Sequence, residues 1–109
     1  MFEKFQAAEN RYDEINHRLS DPAVIANQDE YKKLMKEHSE LEVLVTKYNE
    51  YKKVTKEISD AKELLGEKLD KEFREMVEME LEQAEERLEA LEKEMKILLL
   101  PKDPNDEKN

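Results

Sequence analysis

Residues 27–65, NQDEYKKLMKEHSELEVLVTKYNEYKKVTKEISDAKELL, decide the fold. They contain no Pro and no Gly, and a stripe of largely apolar residues recurs between charged ones at helical spacing. The stripe reads Tyr31, Leu34, Met35, His38, Leu41, Leu44, Val45 and Tyr48, then thins to Tyr51, Thr55, Ile58 and Leu65. A face broad in its first half and narrow in its second suits a helix with two partners at one end and one at the other. Asn27 is placed to cap this helix, with Glu30 three residues on and able to reach back. Asp29 and Glu30 favour the positive end of the helix dipole. At 1.5 Å per residue the element is roughly 57 Å long. Gly66, the only glycine, follows the last apolar position, where a left-handed cap residue is expected.

Upstream, Phe2, Phe5, Ala8, Tyr12, Ile15 and Leu19 form one stripe of an amphipathic helix. Ser20-Asp21-Pro22 stops it, since Pro cannot continue the hydrogen-bond ladder, and the same residues can start a short turn over residues 22–26. Downstream, Asp70 can cap a helix whose seam runs Phe73, Val77, Leu81, Ala84, Leu88, Leu91, Met95 and Leu98. Ile97, Leu99 and Leu100 widen this seam before Pro101 ends the helix. The short connection at Gly66 makes the two long helices antiparallel neighbours.

These elements predict an all-α fold, an elongated antiparallel three-helix bundle tapering into a two-helix, coiled-coil-like hairpin. The helices are expected at about 2–19, 28–65 and 71–100. The three-helix part is expected near residues 34–48 and 88–100, with the hairpin projecting over residues 55–73. Residues 1–100 then form one helical domain, and residues 101–109, with two prolines in four positions, read as a stiff linker towards further domains.

Composition narrows the function classes. The 109 residues are 44% charged and carry a formal charge of −10, which argues against direct nucleic-acid binding by this chain. The acidity is local: residues 70–96 hold eleven acids and five bases, whereas residues 28–65 hold nine and eight. With no cysteine, disulfides and thiolate metal sites are excluded. The longest apolar run, residues 97–100, is far too short to span a membrane, and the first residues lack signal-peptide character. A cytoplasmic location is expected.

No residue pattern points to catalysis, a cofactor or a metal. His17 and His38 are isolated, no serine sits in a Gly-rich elbow, and no Gly loop could cradle a phosphate. Glu78, Glu82, Glu85, Glu86 and Glu89 lack an inward-facing Glu-x-x-His pattern and read as a solvated face. Lys52, Lys53 and Lys56 interleave with aromatics, but Tyr48 and Tyr51 belong to the core stripe. Charge pairing between helices is therefore the expected role of these lysines.

LLLPKDPNDEKN at residues 98–109 resembles the join between the N-terminal helical domain and the central domain in the bacterial release factor one family. These are class I peptide chain release factors, associated with UAA and UAG stop codons. RYDEINHRLSDPAVIAN at residues 11–27 resembles the family's first helix and its Ser-Asp-Pro corner. FREMVEMELEQAEERLEALEKEMKILLLPKDPND at residues 73–106 resembles its third helix and exit. Lys71 departs from the family, where many relatives place Pro after the capping Asp. The family's Gly-Gly-Gln and Pro-x-Thr motifs belong to later domains and do not occur here. The resemblance implies a helical arm that reaches the stalk-base region of the large ribosomal subunit and communicates with the GTPase that recycles the factor. By position, Leu65, Gly66, Glu67 and Lys68 would form the contacting tip. The rival from the residues alone is a free-standing acidic coiled-coil protein, structural or chaperone-like. A nucleic-acid mimic has only the charge of the third helix in its support.

Overall fold

The computed structural model describes residues 2–100. Four helices follow one another: α1 (Phe2–Leu19), α2 (Pro22–Ala26), α3 (Gln28–Leu65) and α4 (Lys71–Leu98). The fold is all-α and elongated, about 62 × 38 × 21 Å. Each helix after the first starts on a side-chain cap. Asp21 accepts from the Ala23 N–H at 3.0 Å, Asn27 from Glu30 at 3.2 Å and Asp70 from Phe73 at 3.0 Å. The predicted reach of Glu30 back to Asn27 does not form. The Asn27 N–H is already spent on the Val24 carbonyl, closing α2, and the Glu30 carboxylate turns to Arg18 at 2.5 Å instead.

Both α1 and α4 run antiparallel to α3, on different sides of it. Phe2 meets Tyr51, Phe5 meets Tyr48 and Tyr12 meets His38, with ring centroids 5.0, 5.9 and 4.4 Å apart. On the other side Lys47 pairs with Glu94 and Glu50 with Arg87. All three helices meet where Phe5, Tyr48 and Met95 cluster, flanked by Leu44, Tyr51 and Leu99.

This junction lies at the middle of α3, further along than the taper implied. Lengths explain it. From the shared connection at residues 66–70, the 28 residues of α4 cover about 42 Å of a partner about 57 Å long. The end of α4 therefore falls beside Val43 and Leu44 rather than beside the start of α3. The first part of α3 is covered by α1 and α2, through Ile15, Val24 and Leu34. Its last part forms the expected two-helix hairpin with α4, through Val54, Ile58 and Leu91.

Several side chains depart from the predicted stripe. Val54, 2% exposed, and Ala61 are buried, although the stripe had Thr55 between Tyr51 and Ile58. The seam of the hairpin is thus Tyr51, Val54, Ile58, Ala61 and Leu65, a regular alternation of three and four, no sparser than the rest. Tyr31 and Met35 stay outside the core, 37 and 42% exposed, because α1 approaches α3 from the side of Leu34 and Leu41. Ile97 and Leu100, predicted to widen the core, are about two-thirds exposed. Helix α4 ends at Leu98, two residues before the expected Leu100. The expected linker, residues 101–109, lies outside the described residues.

Candidate functional site: the hairpin tip

The tip is built by helix termini. Gly66 closes α3 with φ −78° and ψ −11°, a right-handed conformation, so the left-handed cap expected there is absent. Its N–H donates to Glu63 and that of Glu67 to Leu64, at 3.1 and 3.0 Å, which continues the helical winding for one more turn. Two further carbonyls at this end are taken by a side chain. Arg74 donates from Nη1 to the Leu65 carbonyl at 3.3 Å and from Nη2 to the Glu67 carbonyl at 3.1 Å. A guanidinium at the negative end of a helix dipole is favourable as well as hydrogen-bonded. Arg74 was not among the sequence candidates. The available signal was its place as an arginine in the first turn of an otherwise acidic helix, four residues after the capping Asp70.

Of the four residues predicted for the tip, Gly66, Glu67 and Lys68 are exposed and Leu65 is half-buried against the hairpin. Further along the hairpin, away from the tip, a groove between α3 and α4, about 390 Å³, is lined by Glu57, Ala61, Glu80, Gln83, Ala84 and Arg87. It is shallow and open, and it holds no buried ionisable group.

The other candidates resolve into packing. His38 stacks on Tyr12 and its Nε2 lies 2.9 Å from Asn16 Oδ1. Among the described residues no group of three His, Cys, Asp or Glu could hold a metal. Lys52 bonds Glu9 of α1 at 2.8 Å and lies 4.6 Å from the centre of the Tyr48 ring. Its partner is thus α1 and not the acidic α4, whose Glu94 is taken by Lys47. Lys56 pairs within its own helix, with Asp60 at 3.4 Å. The ion pairs shift the groups that make them: hydrogen bonds from Arg11 hold the Glu37 carboxyl below its ordinary 4.5. Glu94 and Glu9 raise the ammonium groups of Lys47 and Lys52. Burial raises the Tyr51 phenol.

The profile of the PCRF domain matches residues 8–109. The chain belongs to the PCRF domain family. Its curated relatives carry the name Peptide chain release factor 1. That of Acetivibrio thermocellus is 89% identical over all 109 residues, which make up 30% of its length. Those of Caldicellulosiruptor saccharolyticus and Clostridium novyi are 53% and 50% identical over the whole chain, which covers 31% and 30% of them. This PCRF domain therefore spans about a third of the length of the curated relatives it matches. No solved structure matches it.

Proposed function

We propose that this PCRF domain is the N-terminal helical arm of a peptide chain release factor acting in translation termination at UAA and UAG codons. The observation that carries this reading is the 89% identity, over the entire chain, to a protein named Peptide chain release factor 1. Its partner would be the ribosome, met through the full-length factor in the cytoplasm. The finer assignment is the stalk-base region of the large subunit and the recycling GTPase, contacted by the tip at Leu65, Gly66, Glu67 and Lys68. Residues 1–100 would be the domain and residues 101–109 its linker to the domains that read the codon and release the peptide. This segment supplies reach, not chemistry. No helix of the described residues is long and apolar enough to cross a membrane. A free-standing acidic coiled coil explains the helices but not the identity with the release factors.

The test is peptide release on ribosomes stalled at UAA, using a full-length factor that begins with this chain. Wild-type release is expected. Glu67→Ala with Lys68→Ala should leave the melting temperature unmoved while slowing release or recycling, because both side chains are exposed and the cap bonds use backbone carbonyls. Failure of the wild-type chimera to release peptide overturns the reading, and unchanged rates in the double variant overturn the tip assignment.

A further inference from the structure

Where α4 ends, the chain is apolar on every side. Ile97, Leu98, Leu99 and Leu100 follow one another, and Leu99 keeps right-handed backbone angles, φ −87° and ψ −9°. At about 100° per residue the four side chains circle nearly the whole helix. Two of them have partners within the fold. Leu99 packs on the Phe5–Tyr48–Met95 cluster, and Leu98 shares a hollow with Glu40, Val43 and Leu44 of α3. The other two, Ile97 and Leu100, are about two-thirds exposed, the most exposed large apolar side chains of the described residues. Val43, half exposed, belongs with them. The Lys47–Glu94 pair sets the register of α3 against α4, and one turn on from it Val43 comes opposite Ile97 and Leu98. A helix that is apolar all round is normally enclosed. Here the bundle encloses only half of that circumference.

The position of this surface selects what covers the other half. It lies where the chain leaves the bundle, and this chain makes up 30% of the Acetivibrio thermocellus relative. Under the release-factor reading, a body more than twice the size of this domain is joined here through residues 101–109. Nine residues span at most about 32 Å at roughly 3.5 Å each, which holds that body close to the surface. Tethering over such a distance raises its effective concentration to the order of millimolar. A few apolar side chains fall well short of the roughly 1,200 Å² that two separate proteins bury in a stable complex. For a tethered body they suffice, because the linker has already met much of the cost of association. The nearest ion pair, Lys47–Glu94, is satisfied within the fold, so the surface offers apolar contact.

We infer that the Val43–Ile97–Leu100 surface is an interface inside the full-length polypeptide, covered by an apolar face of the part that follows residue 109. Seated there, that part sets the direction in which the α3–α4 hairpin projects. The inference rests on the release-factor reading above, which supplies the following part, and adds a contact which that reading does not contain.

The experiment uses a full-length factor that begins with this chain and carries a photoreactive phenylalanine analogue in place of Ile97. It is irradiated free of ribosomes, at low and at high protein concentration. The expected product is a cross-link within one molecule, to a residue beyond 109, in the same yield at both concentrations. A cross-link between two copies, one confined to α3 and α4, or none, overturns the inference, as does one formed only when ribosomes are added. Native-state hydrogen exchange on Ile97→Gln with Leu100→Gln supplies a second readout, since Gln is at least as good a helix former as Ile. Loss of an interface should speed exchange about tenfold in the cross-linked segment beyond 109, leaving Val54 and Ile58 unaffected. Unchanged exchange in that segment means a solvated surface and overturns the inference. Peptide release at UAA by the unsubstituted factor separates the two readings. If release fails, the release-factor reading falls; if it succeeds and no such cross-link forms, only the interface falls.

Discussion

Adjacent residues Val54 and Thr55 offer the sharpest test of how the hairpin packs. The sequence stripe puts Thr55 inward, whereas the fold buries Val54 against Ile58 and Leu91 and leaves Thr55 half-exposed. Truncating Val54 to Ala removes two methyl groups, worth about 1.6 kcal/mol at about 0.8 per group. The cavity left between two helices adds to this, and the better helix propensity of Ala returns about 0.6 kcal/mol. The net loss is about 2 kcal/mol. For a chain of this size that is about 8–16 °C in melting temperature. Thr55→Ala removes a hydroxyl that donates to the Lys52 carbonyl at 2.8 Å, a bond within the helix that competes with its own ladder. Its loss is offset by propensity, so a change within about 0.5 kcal/mol is expected. Thermal and urea unfolding followed by far-ultraviolet circular dichroism would measure both. If Thr55→Ala lowered the midpoint as much as Val54→Ala, the seam described above would be wrong.

Other substitutions probe the remaining parts. Phe5→Ala empties the centre of the three-helix junction and should cost about 3–5 kcal/mol. It should also strip hydrogen-exchange protection from α1 before α4, and equal loss in both would contradict the junction. Gly66→Ala should change stability by less than about 1 kcal/mol, because φ is negative and Ala lowers unfolded-state entropy. The added Cβ would lie 3.3 Å from the Glu63 carbonyl, a tight contact. A loss above about 2 kcal/mol in chemical denaturation would mean that the right-handed cap is not the native one. The Glu37 carboxyl, depressed below 4.5 in the folded chain, contributes stability that is complete above the unfolded value. That contribution disappears as pH falls through the lower folded value. Glu37→Gln should therefore flatten the acid limb of the stability–pH curve, and an unaltered limb would remove Arg11–Glu37 from the account. Lys47 and Lys52 carry the opposite sign, their raised values giving stability present below 10.5 and lost as pH rises through the folded values.

Helix type, order and caps were legible because they depend on nearest neighbours. Pro22, Asn27 and Asp70 act within three residues, and the turn around Gly66 leaves too little chain for anything but an antiparallel return. Burial was less legible. Thr55 and Val54 are both β-branched, of similar size and one position apart, so periodicity in one helix cannot rank them. The direction of approach of α4 does. The same holds for Met35 and Ile97, whose spacing is as good as that of buried neighbours but which the approach of the neighbouring helices leaves exposed. Arg74 was missed because its partners, the Leu65 and Glu67 carbonyls, become available only when the end of α3 and the first turn of α4 are brought together.

Residues 27–65 by themselves determined that the chain is built on one long helix, capped at Asn27 and ended at Gly66. Those features follow from backbone hydrogen bonding and side-chain propensity along the chain. Only the tertiary structure decided where along that helix its partners overlap. Two partners of unequal length, started from opposite ends, meet where their reach runs out, and that point is Tyr48. It likewise decided that the hairpin's apolar residues divide between a closed seam at Val54, Ile58 and Ala61 and exposed positions at Leu64, Phe73 and Met76. A helix has more apolar circumference than a single neighbour can cover.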